Sequence, residues 1–141
     1  MALDVGEKRV GVAVSDETGT IATPRPPILR QDAVHDLARI KRLGEALQVS
    51  RIVVGWPRSL NGQRGPQARL VEAFVERLRQ AVPWPVELVD ERLSTKEAER
   101  VLIAQDVRRS RRRSLVDGLA AAMILETYLG RRRAGQERGD A

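Results

Sequence analysis

The chain has 141 residues, a net charge of +6 from 25 Lys plus Arg against 19 Asp plus Glu, 42% hydrophobic content and 31% charged content. That length suits one domain with one sizeable core, and the composition is that of a folded, highly charged chain rather than a disordered one. With no cysteine, disulfides, thiolate catalysis and Cys-ligated metal clusters are excluded, and His35 as the only histidine argues against a Ser-His-Asp triad or a multi-His metal site. The basic excess is almost all arginine, since Lys8, Lys41 and Lys96 are the only lysines. Guanidinium grips phosphate in bidentate fashion, which favours a polyanionic partner and nucleic acid first. A GC-rich genome gives the same excess with no partner at all. No apolar run nears the ~20 residues of a membrane span. Asp4, Glu7, Lys8 and Arg9 interrupt any signal-peptide core, so the sequence predicts a cytoplasmic protein with no membrane partner.

The first third reads as strands. Ala2 to Val5 is a short apolar stretch and Gly6-Glu7-Lys8 a turn. Val10, Val12 and Val14 then alternate with smaller residues at the period of a strand. Asp16 to Gly19 predicts a second turn, and Thr20 to Leu29 a third strand that Pro24, Pro26 and Pro27 confine to an edge. Asp32 is a good helix N-cap, followed by Val34, Leu37, Ile40, Leu43 and Leu47 at helical spacing. The continuous apolar run around Ile52, Val53 and Val54 predicts a strand buried on both faces. A Pro- and Gly-rich loop spans Trp56 to Pro66, and a second helix runs from Gln67 to Val82 with Val71, Phe74, Val75 and Leu78 inward, stopped by Pro83. Val86 to Asp90 is a further strand, Ser94-Thr95-Lys96-Glu97 a capping box opening a helix to Gln105, and Ser114 to Leu129 a last helix. The expected architecture is α/β: a mixed five-stranded sheet, an antiparallel three-stranded meander plus two parallel strands, with helices on both faces. Residues 1–130 form the domain and 131–141 a polar, flexible tail.

Three carboxylates occupy unusual places. Asp4 lies inside the first apolar strand, Glu91 ends the fifth, and Asp117 opens an Ala-rich helix. A carboxylate within an apolar segment is costly unless it is paired or bound to a metal. Three hard oxygen donors from separate elements suit Mg²⁺ or Mn²⁺, and two such ions ~4 Å apart serve phosphodiester cleavage by activating water and stabilising the leaving oxygen. Each acid also has a plainer role open to it. Asp117 suits the positive end of its helix, Asp4 the capping of the following turn, and Glu91 a surface pair with Arg92.

The surrounding motifs are more specific. Leu3-Asp4-Val5-Gly6 with Lys8-Arg9-Val10-Gly11-Val12 resembles the first hairpin of ribonuclease H-like proteins; actin-like and sugar-kinase ATPases share it but need two such domains. Val54-Gly55-Trp56-Pro57 leading to Asn61-Gly62-Gln63, then Asp90-Glu91-Arg92-Leu93-Ser94-Thr95, then Val116-Asp117-Gly118-Leu119-Ala120-Ala121 complete a set that resembles the YqgF/RuvX family, associated with pre-16S rRNA cleavage and with Holliday junction resolution. The resemblance covers Leu3 to Leu129. It implies a ribonuclease H-like fold and a metal-dependent nuclease using Asp4, Glu91 and Asp117 with one or two Mg²⁺ or Mn²⁺ ions. Asp90 is the poorer ligand, because adjacent strand residues point to opposite faces.

Arg9 and Arg92, beside the acids, and the run Arg108, Arg109, Arg111, Arg112 and Arg113 are the candidate phosphate contacts. The same arginines also suit neutralisation of the acidic cluster or a solvated loop. By resemblance the expected function is a hydrolase trimming the 5′ region of precursor 16S rRNA in ribosome biogenesis, with pre-ribosomal particles as partners. The alternatives are a resolvase of four-way DNA junctions, which needs a dimer where the nuclease works as a monomer or homodimer, and a non-catalytic nucleic-acid-binding module. His35 is expected to be incidental, and Trp56 and Trp84 to be packing residues.

Overall fold

The first strand, β1 (Ala2–Val5), is the centre of the molecule. The computed structural model describes residues 1–16, 21–57, 65–90 and 118–132. In chain order β1 is followed by β2 (Arg9–Ser15), β3 (Ala22–Leu29), α1 (Ala33–Ala46), β4 (Ile52–Trp56), α2 (Pro66–Ala81) and β5 (Val86–Asp90). A further helix, α3, occupies 118–132. The five strands form one sheet in the order β3-β2-β1-β4-β5. β1 pairs antiparallel with β2 and parallel with β4, and β4 pairs parallel with β5. The meander and the two parallel strands therefore stand as the sequence predicts.

Strand alternation sorts the core into two layers. Leu3, Val5, Val10, Val12, Ile52 and Val54 face α1 and α2, meeting Ile40, Val71, Phe74, Val75 and Leu78. Ala2, Ala13, Val53 and Val89 face α3, meeting Ala121, Ala122, Ile124 and Leu125. Small residues on both sides bring α3 close. A Cβ on Gly118 would stand 3.1 Å from the Pro24 side chain and 3.3 Å from the Arg25 carbonyl oxygen, so a larger residue there would press the start of the described helix away from β3. α3 extends through residue 132, further than the apolar pattern ending at Leu129 predicts. The Arg51 and Arg132 guanidiniums both lie 5.9 Å from the Tyr128 ring centroid, a cation–π arrangement that holds its last described turn.

The prolines confine β3 to the sheet edge, and its register with β2 shifts between Val10 and Val12. α1 departs from the expected pattern. Val34 is 72% exposed, and the buried stripe is Asp36, Ile40 and Gly44. Gly44 is small because the Trp84 ring lies against it: an added Cβ would approach the ring to 2.7 Å. Trp84 is thus a packing residue.

Asp32 caps α1 as predicted. Its Oδ1 accepts from the His35 backbone N–H at 2.9 Å, and its Oδ2 lies 2.7 Å from His35 Nδ1. His35 is therefore a partner of the helix cap. The backbone hydrogen bond, then the imidazole, hold the Asp32 carboxyl below its ordinary pKa. A depressed carboxylate pKa contributes stability above the unfolded value and loses it as pH falls through the folded value. Asp32→Ala is thus expected to lower the melting temperature at neutral pH, with the gap to wild type closing on acidification through the carboxylate range. A gap that persists unchanged in acid would contradict the cap's role.

Candidate functional site

Chain order reverses beside β1. The chain runs outward through β2 and β3, returns, and continues on the other side through β4 and β5. Ligands bind open α/β sheets outside the carboxyl ends of the strands at such a switch point. Three strand ends meet there: Asp4-Val5 of β1, Gly55-Trp56 of β4 and Val89-Asp90 of β5, with Trp56 in register with Asp90.

Asp4 is half-buried and shares the face of Ala2, the face covered by α3. Its neighbours across the sheet are glycines. Gly11 is its partner on β2, and Gly55 follows Val54, the β4 partner of Leu3. Neither flanking position places a side chain beside the carboxylate. The donor is chemically apt as well: a carboxylate at a strand end is the hard oxygen ligand Mg²⁺ and Mn²⁺ prefer. Arg9 has the alternation of Gly11 and Ala13, so it lies on the Asp4 face two positions along β2. Asp90 has the alternation of Val86 and Leu88, which belong to the α1/α2 layer. It thus lies on the face opposite Asp4.

Glu91, Arg92, Arg108, Arg109, Arg111, Arg112, Arg113 and Asp117 lie outside the described residues, as do the Ser94 capping box with its helix and the stretch Asn61-Gly62-Gln63. Among the described residues no group of three acidic or histidine side chains is placed to hold a metal ion, so Asp4 is the member of the predicted trio whose surroundings are visible. A hollow of about 530 Å³ lies at the opposite end of the sheet, lined by Met1, Ser15, Gln48, Arg51, Tyr128 and Arg132 among others. It contains none of the predicted site residues.

Sequence reasoning missed what supports the Asp4 end of β1. The Val5 carbonyl accepts from Gln67 Nε2 at 3.3 Å, and the Gly6 carbonyl accepts from an Arg30 terminal nitrogen at 2.8 Å. Arg30 Nε stands 3.4 Å from Asp36 Oδ2, and Asp36, 1% exposed, is the buried charge of the described core. The available signal was Asp36 itself, a carboxylate at the head of the stripe that continues through Ile40 and Gly44.

A five-stranded sheet of this order is that of the ribonuclease H-like fold. RuvC from T. thermophilus bound to a Holliday junction substrate superposes with a TM-score of 0.58 over 94% of this chain and 93% of that one, at 16% identity. A second Thermus thermophilus RuvC structure gives 0.52, also at 16% identity. These likenesses establish the fold. The chain belongs to the RuvX family, described as Holliday junction resolvase, whose pattern matches residues 1–131. Curated relatives carry the name "Putative pre-16S rRNA nuclease". One from Symbiobacterium thermophilum is 52% identical over 94% of this chain and 92% of its own length. One from Thermoanaerobacter pseudethanolicus is 47% identical over 92% and 94%, and one from Geobacillus kaustophilus 45% identical over 94% and 98%. Among the described residues no helix is long and apolar enough to cross a membrane.

Proposed function

We propose that the chain is a divalent-metal-dependent endonuclease that trims the 5′ region of precursor 16S rRNA. The observation that carries this reading is Asp4: a half-buried carboxylate at the switch point, flanked by Gly11 and Gly55, in a chain of the RuvX family. Asp4, Glu91 and Asp117 hold one or two Mg²⁺ or Mn²⁺ ions. The opposite-face position of Asp90 supports Glu91 as the acid of that pair. When bound, the metal supplies charge neutralisation and water activation at the phosphodiester. Asp4 contributes a fixed anionic donor, and the flanking glycines admit the backbone. Arg9, Arg92 and the arginines from Arg108 to Arg113 hold phosphates, so affinity falls steeply with salt. The partners are precursor rRNA and pre-ribosomal particles, the location is the cytoplasm, and residues 1–130 form the nuclease domain with 131–141 as a tail.

The family's description favours a second substrate, the four-way DNA junction. The test is a cleavage assay in Mn²⁺ on labelled precursor 16S 5′ fragments and on a DNA junction, run beside Mg²⁺, EDTA and the Asp4→Asn protein. The expected result is metal-dependent cutting of the RNA alone. Paired symmetric cuts in the junction would transfer the assignment to resolution. Metal-independent binding of both substrates with no cutting would reduce the chain to a binding module.

A further inference from the structure

Metal ligands must be held to within about half an ångström to work, yet Asp4 lies near the end of a strand of four residues. β1 pairs with β2 along its whole length but with β4 over Ala2 and Leu3. Beyond Leu3 the β2 pairing continues, and two side chains add hydrogen bonds to the backbone that follows Asp4. Gln67, in the first turn of α2, binds the Val5 carbonyl, and Arg30 binds the Gly6 carbonyl. The two carbonyls belong to the residues immediately after Asp4, so these bonds restrain the backbone on its C-terminal side.

Arg30 is itself held from four sides. Its backbone N–H donates to the Lys8 carbonyl at 2.9 Å, across the β1–β2 turn. Its Nε faces buried Asp36 at 3.4 Å, and its guanidinium carbon lies 5.5 Å from the Phe74 ring centroid. Asp36 is fixed in turn by the Gln31 backbone N–H, 2.9 Å from its Oδ1. A guanidinium pinned by a carboxylate and an aromatic face has little freedom left, and that rigidity passes to Gly6. The turn is tight as well: the Gly6 N–H donates to the Arg9 carbonyl at 2.8 Å, and an added Cβ would meet that oxygen at 2.9 Å.

We infer that Arg30, locked by Asp36 and Phe74, acts with Gln67 as a positioning device that aims Asp4 at the metal from the opposite side of the sheet. This inference rests on the reading of Asp4 as a metal ligand. The three polar residues touch neither metal nor substrate; they act through the Val5 and Gly6 carbonyls. A simple structural staple would use the same hydrogen bonds, so the test needs a readout that stability alone does not move.

That readout is Mn²⁺ affinity, measured on the full chain by electron paramagnetic resonance of the free ion, without nucleic acid. Arg30→Met alone strands the buried Asp36 charge and destabilises the fold. The informative variant is Arg30→Met/Asp36→Leu, which removes both charges together and in comparable pairs leaves stability unchanged or raised. Gln67→Met is the second variant and leaves no buried charge behind. Loss of groups that orient a metal ligand costs about 10–100-fold in metal affinity or activity. The double variant is expected to melt close to wild type and to bind Mn²⁺ about 10–100-fold more weakly. Its kcat for cleavage falls while KM for nucleic acid stays unchanged, and Gln67→Met shifts Mn²⁺ affinity in the same direction by less. Wild-type Mn²⁺ affinity in a folded double variant would overturn the inference and leave the network a staple of the fold. Asp4→Asn distinguishes the deeper failure: if it too binds Mn²⁺ as wild type does, the reading of Asp4 as a ligand falls, and the inference with it.

Discussion

Asp4→Asn is expected to lower Mn²⁺-dependent cleavage by on the order of 100-fold or more, since it removes a ligand rather than a group that merely orients one. The amide has the shape of the carboxylate but not its charge, so it suits the same place between Gly11 and Gly55. The melting temperature without metal should therefore stay near that of wild type, while the stabilisation wild type gains from added Mn²⁺ shrinks, because a ligand that binds the folded state raises apparent stability in proportion to its affinity. Cleavage at the wild-type rate by carefully purified Asp4→Asn protein would remove Asp4 from the active site.

The neighbouring residue is expected to do the reverse. Leu3 is fully buried in the α1/α2 layer. Leu3→Ala leaves a cavity between the sheet and two helices and costs about 2–5 kcal/mol, a loss of roughly 10 °C or more in melting temperature for a domain of this size. Below its transition the variant should still need Mn²⁺ and still cut, because Leu3 and Asp4 point to opposite faces. Thermal melts and cleavage rates on the pair separate the two roles. A Leu3→Ala protein that melts like wild type would mean that the sheet-to-helix packing is misassigned.

Much of this was legible in the sequence. Valine alternation marks β2, the unbroken Ile52-Val53-Val54 run marks a strand buried on both faces, and Asp32 marks the start of α1 through a cap made within three residues. Such signals are local, and they fix element order and, with the prolines of β3, even the edge of the sheet. Asp4 was visible because an acid inside an apolar strand has few uses. The support beneath it was not. Arg30 and Gly6 are 24 residues apart and Gln67 and Val5 are 62 apart, and no periodicity links them. Val34 misled for a related reason: its spacing suits the apolar stripe, but the position facing the core belongs to Asp36, whose burial depends on an arginine from the preceding strand–helix connection.

The prolines that hold β3 at the edge have a colloidal consequence. An outer strand offers a row of backbone donors and acceptors on which another chain can grow a sheet. Pro24, Pro26 and Pro27 delete three of the donors of β3, and the register shift opposite Val10 and Val12 bends what remains. This border of the molecule is a poor template for templated aggregation, so a basic protein that meets crowded polyanions is guarded there against sticking to its own kind.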